Sequence, residues 1–372
     1  MHMIANIFRF LCVVTAVFMV GFWLNKYQKN EDNTVTEYKT FEEQFKTFNK
    51  TLKEEEVTLY PELTICVDNP FLDQKLGNIT PGINREMYLQ YLAGNIPVTN
   101  KTYKRVSYEE VTLNLYDYLQ NVALTARDQN IGPINCFSVH DCPFFHFKNN
   151  YNGFGLGQKG FLKCFGFAIN NKYTNDISYA FMSFNHTLLD ILDQGKYVSL
   201  FLSYPSQLFR NIRYFEIWQN SEERKKANQI IISSYEVLRR RSKSGKRCIS
   251  NKNPYDDFIL RQEIEKVGCK APYFLADDSF PICEKPKDLT FFADISKKLS
   301  DNSILPCQEI THLSYKNNKE FKKSIDFTLF ITYPKNIKVI TQSRAIDHHT
   351  LIGNIGGYSG LFLGIISNYY GR

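Results

Sequence analysis

Eight of the nine cysteines fall between Cys66 and Cys307, with no C-x-x-C spacing among them, and a fold for this chain must first accommodate that even set. Such a set suits disulfides in an oxidising compartment better than a metal site. Four glycosylation sequons lie in the body of the chain, at Asn49, Asn78, Asn100 and Asn185, each followed two positions later by Thr. One sequon is close to chance, but four beside an even cysteine set point to the extracellular side.

The two ends differ from this body. Residues 10–24 carry no charge, and extending back to Ile4 admits only Arg9. About 20 residues suffice to cross a hydrocarbon core of ~30 Å, with Trp23 and Tyr27 as interfacial anchors. The rival reading is a cleaved signal peptide, with residues 1–9 as its charged leader. No small-x-small cleavage site follows, since the next residues are Asn25, Lys26 and Tyr27. Either reading sends the body outside. At the other end, residues 350–371 are uncharged yet contain six glycines, each costing a helix interior up to about 1 kcal/mol relative to Ala. A loose tail, a buried strand and turn, or a membrane element all fit those residues taken alone.

Between the ends, 372 residues at 43% hydrophobic content can bury a large core as one or two domains. The 45 basic and 38 acidic residues are intermixed, so a net charge of +7 does not imply a nucleic-acid partner. With 30 Phe and 23 Tyr, substantial β-sheet is expected. Strand patterns occupy residues 59–67, 177–184, 197–204, 229–238 and 324–333. One helix is marked by Asp256 and Asp257 at its start, Leu260, Ile264 and Val267 on one face, and Gly268 as its stop. It sits between Cys248 and Cys269, where disulfides would tie it down. Residues 25–56 are polar, with Phe41, Phe45 and Phe48 at helical spacing, and read as a stalk or short amphipathic helix.

Several motifs invite a sharper reading. Gly155-x-Gly157-x-x-Gly160 matches a dinucleotide fingerprint in letters but lacks the flanking strand and helix, so a glycine-rich turn is the better reading. The basic run over residues 239–247 would suit sulfated glycans or anionic headgroups, although a solvated loop is the commoner outcome. His140, His146, His186, His312, His348 and His349 are candidate proton sensors by chemistry alone. No Ser-His-Asp, zincin or P-loop pattern is present, so the sequence reads as no enzyme, with no cofactor or metal.

The stretch Leu59-Tyr60-Pro61-Glu62-Leu63-Thr64-Ile65-Cys66-Val67-Asp68-Asn69-Pro70-Phe71 resembles the segment that follows the first membrane helix in degenerin/epithelial sodium channels. Gly160-Phe161-Leu162-Lys163-Cys164-Phe165-Gly166-Phe167-Ala168-Ile169-Asn170 is similar to the family's Gly-x-Cys-Tyr-x-Phe-Asn segment, with looser spacing around the glycine and asparagine. Gly268-Cys269-Lys270-Ala271-Pro272-Tyr273-Phe274 resembles the cysteine–proline–aromatic knuckle of its thumb region, and Leu305-Pro306-Cys307-Gln308-Glu309-Ile310 resembles the Pro-Cys segment that closes it. Leu351-Ile352-Gly353-Asn354-Ile355-Gly356-Gly357-Tyr358-Ser359-Gly360-Leu361-Phe362-Leu363-Gly364 looks like the start of its second membrane helix, where glycines let helices approach around a pore. The five stretches occur in the family's order.

The resemblance implies an α+β membrane protein with a disulfide-rich extracellular domain, a palm β-sheet and a helical thumb. Residues 1–24 would form the first transmembrane helix, 25–349 the extracellular domain, and 350–372 an incomplete second helix. It implies pairs Cys66 with Cys164, Cys136 with Cys142, Cys248 with Cys307, and Cys269 with Cys283. It also implies a homo- or hetero-trimer in the plasma membrane, in contact with lipid, that passes sodium and is blocked by amiloride. The pore-entry glycines would be Gly356, Gly357 and Gly360. The Gly-x-Ser filter would fall at Gly364, Ile365 and Ile366, with Ser367 one position late. From Gly357, 16 residues remain, about 24 Å of helix, so a truncated product with an impaired pore is expected. A membrane-anchored or secreted ectodomain, acting as a binding module or as a dominant-negative partner of full-length subunits, is the alternative.

Overall fold

The computed structural model describes residues 2–29, 31–40, 60–79, 82–96, 107–127, 134–136, 142–154, 160–170, 177–192, 196–210, 213–218, 228–241, 248–249, 255–274, 279–300, 304–318 and 327–368. The strands are β1 (Asp32–Thr40), β2 (Glu62–Asp68), β3 (Leu119–Ala126), β4 (Ile134–Cys136), β5 (Phe145–Phe154), β6 (Phe161–Ile169) and β7 (Ile177–Phe184). Then come β8 (Val198–Ser203), β9 (Arg213–Trp218), β10 (Asn228–Arg239), β11 (Gln308–Asn318), β12 (Phe327–Thr332) and β13 (Asn336–Arg344). The helices are α1 (His2–Lys29), α2 (Asp73–Ile79), α3 (Arg85–Leu92), α4 (Tyr108–Val111) and α5 (His186–Leu192). They continue with α6 (Tyr255–Val267), α7 (Pro286–Ala293), α8 (Ile295–Ser300) and α9 (His348–Asn368).

The chain divides into a terminal unit, Met1–Thr36 with Arg239–Arg241 and Ile340–Arg372, and a body, Glu37–Leu238 with Ser242–Val339. The strands form an eight-stranded sheet of order β1-β13-β10-β12-β7-β3-β4, with β11 also on β10, and a five-stranded sheet of order β5-β6-β2-β8-β9. The smaller sheet is antiparallel throughout, whereas β10 and β12 run parallel.

The body's layering follows from period-2 alternation along β2 and β6. Leu63, Ile65 and Val67, with Phe165 and Phe167, point into a core shared with Val122 and Leu124 of β3, Met182 of β7, Ile230 of β10 and Leu329 of β12. Cys66, Leu162 and Cys164 point the other way, into a second core that also holds Phe161, Tyr88 and Leu92 of α3, Ile259 and Ile264 of α6, Tyr273, and Phe292 of α7. Every residue of β6 and β8 is buried. The smaller sheet is therefore a middle layer, covered on one face by strands and on the other by helices.

Four disulfides are present: Cys66–Cys164, Cys136–Cys142, Cys248–Cys307 and Cys269–Cys283. These are the pairs implied by the family resemblance. Cys66 and Cys164 stand directly opposite in the β2–β6 register, with Cα atoms 4.0 Å apart. Helix α6 is bracketed by two bridges, and Gly268 ends it at φ +80°, the left-handed stop that glycine adopts without a Cβ penalty.

Strand patterns in the sequence match β7 at both ends and β8, β10 and β12 to within a few residues, residues 324–326 lying outside the described set. The first pattern starts too early: β2 begins only after Pro61, which has no N–H to give a ladder. At the start of residues 25–56, α1 continues to Lys29 and Asp32–Thr40 is a strand. Phe41, Phe45, Phe48, Asn49 and Asn100 lie outside the described residues.

Candidate functional site

Within the terminal unit the two ends of the chain form a helix pair. Among the described residues, only Phe10–Lys29 of α1 is both long and apolar enough to cross a membrane, and it is 6% buried. Phe10, Val17 and Phe18 are 68%, 66% and 70% exposed, more apolar surface than a solvated helix normally shows. Helix α9 is a helix and not a strand or loose tail. It begins at His348, ahead of Gly357, because Asp347 Oδ1 accepts the Thr350 N–H at 2.6 Å. The hydrogen bonds from Thr350 hold the Asp347 carboxyl below the usual carboxylate range. Its 21 residues span about 31 Å, longer than the 24 Å measured from Gly357.

Gly353, Gly356, Gly357 and Gly360 all lie in α9, and a Cβ built on any of them meets nothing within 4 Å. They leave a shallow, unobstructed helix surface rather than a kink. Gly364, Ile365, Ile366 and Ser367 lie in the last turns of the same helix. Helical geometry directs the Gly364 carbonyl along the axis toward residue 368.

The helix pair is stapled at one end. Arg344 Nη2 donates to the Tyr27 carbonyl at 2.7 Å, and its guanidinium lies 3.5 Å from the Tyr27 ring centroid. The same ring meets His348 at 6.1 Å between centroids, and the Ala345 N–H donates to the Glu31 carbonyl at 2.9 Å. Arg241 donates Nη2–H and Nε–H to Asp32 Oδ1 at 2.8 and 3.1 Å. Nothing in the sequence joined Tyr27 to Arg344, which are 317 positions apart.

The body holds its charges in unusual places. Lys163 is fully buried in β6, where Nζ donates to Glu109 Oε2 at 2.8 Å and Thr112 Oγ1 at 2.9 Å and lies 5.3 Å from the Tyr108 ring centroid. Burial pulls its ammonium below the usual lysine range. Lys196, 1% exposed, donates to the carbonyls of Asn69 and Phe71 at 2.8 and 2.6 Å. Burial, with Arg85 nearby, lowers it to about 8. Those two carbonyls belong to the Asn-Pro-Phe turn, where Asn69 takes φ 54°, a left-handed conformation that Asn tolerates better than most residues.

A third polar seam centres on Ser206, at φ 58°. Its N–H donates to Glu62 Oε2 at 2.9 Å and its Oγ accepts from Lys148 Nζ at 2.7 Å. Asp256, the second residue of α6, does not cap its own helix. Its carboxylate accepts from Leu208 N at 2.5 Å and Phe209 N at 3.4 Å. Burial pushes the Asp256 carboxyl well up, against the pull of Lys148, and Glu62 adds to the rise.

The remaining sequence candidates are dispersed. Asn78 is exposed on α2 and Asn185 half-exposed before α5, where its Oδ1 accepts from the Thr187 N–H at 3.1 Å. Gly160 opens β6 against the Asp68 carboxylate, which leaves no room for a Cβ; Gly155 and Gly157 lie outside the described residues. Of the basic run, Arg239 ends β10 and residues 242–247 lie outside the described residues. His146, His186 and His312 sit on β5, α5 and β11, apart from the His348–His349 pair, and His140 lies outside the described residues. Among the described residues no three His, Cys, Asp or Glu side chains come together as metal ligands. No known protein family and no curated protein matches the chain. The fold and site together define a mixed α+β protein with four disulfides and one apolar terminal helix that could be a membrane anchor or a signal sequence.

Proposed function

We propose that this chain is a plasma-membrane subunit of an amiloride-sensitive sodium channel of the degenerin/epithelial sodium channel type, with its body outside the cell. The observation that carries the reading is the helix pair: an apolar helix from each end of the chain, stapled through Tyr27 and Arg344. A body whose eight cysteines are all bridged suits the oxidising side. The middle sheet and its disulfide-bracketed helices would correspond to palm and thumb.

The unobstructed glycine face of α9 supports assembly, because a bare helix surface allows close helix approach within a membrane. Two such chains, identical or related, would complete a trimer around sodium. Carbonyl coordination at Gly364 would require the backbone to leave α-helical geometry there. Whole-cell recording from cells expressing this chain, alone and with related subunits, tests the reading. An amiloride-blocked sodium current that appears or changes with the chain supports it, and no change in either setting refutes it.

A second reading, a membrane-anchored or secreted binding module, is favoured by one observation: only α1 meets the requirements for a crossing among the described residues. A tag after Arg372 that is protected from external protease in intact cells supports two crossings, and a tag that is digested supports one.

A further inference from the structure

A cavity of about 460 Å³ opens between α2 and α3, a size that suits a small organic molecule. Leu76 and Ile83 line it and are 1% and 8% exposed, so its floor is apolar. Its rim is polar, with Asp73 from α2 and Arg85 and Glu86 from the first turn of α3. Asn84, also on the wall, caps α3 by accepting the Met87 N–H on Oδ1 at 2.9 Å.

The charges on the rim are unequally matched. Arg85 Nη1 lies 3.7 Å from Asp73 Oδ2. With the Asn69 amide turned to face the guanidinium, its oxygen accepts from Nη1 and Nε at 3.1 and 3.3 Å. Arg85 is thereby held by Asp73 and Asn69, whereas exposed Glu86 has no ion-pair partner among the described residues. Gly77 completes the wall. Glycine weakens a helix relative to alanine, yet Gly77 is not in the left-handed region and a Cβ built on it meets nothing within 4 Å. Neither backbone conformation nor close packing calls for glycine there, and its effect is to leave room in the cavity.

We propose that this cavity binds a small organic cation, an ammonium group carried on an apolar body. The body lies on Leu76 and Ile83 across the space at Gly77, and the ammonium meets the Glu86 carboxylate. A carboxylate ligand fits worse, because the guanidinium on the wall is already engaged. Every residue of the site belongs to the body of the chain, so the inference does not depend on the membrane reading.

The test follows amide exchange over α2 and α3 in the full chain at fixed detergent concentration, with phenethylamine or with phenethyl alcohol, its uncharged counterpart of similar shape. The amine is expected to slow exchange in both helices at about fivefold lower concentration than the alcohol, the difference one partly exposed ion pair supplies. Glu86→Gln, which adds no volume, should bring the amine to the alcohol's level. Gly77→Leu should fill the cavity and abolish protection by both compounds at undiminished thermal stability. No protection by the amine, equal potency of amine and alcohol on the unaltered chain, or unchanged amine potency in Glu86→Gln overturns the proposal. Amine protection that survives Gly77→Leu, or 3-phenylpropionate acting at lower concentration than the amine, does the same.

Discussion

Arg344 stacks its guanidinium on the ring of Tyr27, 3.5 Å from the centroid, while donating to the carbonyl of the same residue at 2.7 Å. One side chain therefore grips both the side chain and the backbone of α1's last turn. The grip is made from the end of β13, four residues before α9 begins. Replacing Arg344 by Ala removes a hydrogen bond from a charged donor and a cation–π contact, a loss of about 1.5–3 kcal/mol. The expected outcome is faster amide exchange over the first turn of α9, with exchange in β6 unchanged. Lys at this position keeps the charge but not the planar stack, and restores only part of the protection. Unaltered exchange in the Ala variant would show that the staple does not hold the helices.

The bridges differ in what they contribute. Cys66 and Cys164 are 98 positions apart, whereas Cys136 and Cys142 are separated by 6. In the chain-entropy account the stabilisation grows with the logarithm of the loop, so the long bridge is worth about 2 kcal/mol more than the short one. Paired Cys→Ala variants, compared by denaturant midpoint at matched slope, measure the difference. A larger loss from the short bridge would mean that local geometry, not chain entropy, dominates.

Lys196→Met removes the donor to two buried carbonyls and is expected to cost about 1–3 kcal/mol. Its pH dependence gives a second readout. The folded-state value is lowered to about 8, so this lysine's contribution is present above the unfolded value near 10.4 and lost as pH falls through the folded one. Wild type should therefore gain stability relative to the Met variant between about pH 8 and 10. Parallel stability curves across that window would remove Lys196 as the cause.

Much of the body was legible because its signals are local. Residues 177–184 alternate, and the strand appears there; Gly268 stops α6 as its lack of a Cβ allows. The disulfide pairs came from the family resemblance, since spacing alone leaves 105 pairings open. What the sequence did not reveal depends on groups brought together from afar. Lys163 lies within an apolar run, FLKCFGFAI, and its burial became visible only with Glu109 and Thr112 beside it. Asp256 had the position of a cap for α6, yet the fold gives its carboxylate to the turn at Leu208. Counting from Gly357 shortened the last helix, because Asp347 sets its start further upstream.

Asp256 also gives the most distinctive pH behaviour. Burial raises its folded-state value well above the ordinary one, Lys148 and the N–H groups of Leu208 and Phe209 opposing, Glu62 assisting. A carboxyl raised on folding contributes stability below its unfolded pKa of about 3.9, and the contribution is lost as pH rises through the folded value. Asp256→Asn keeps an acceptor for the Leu208 N–H but carries no charge at any pH. The variant should lie at or below wild type near pH 4 and gain on it steadily as pH rises toward 7. Denaturant unfolding at a series of pH values measures the gap between the two proteins. A constant gap would mean that Asp256 does not change protonation over this range and that Ser206 and its neighbours are held by a permanent carboxylate.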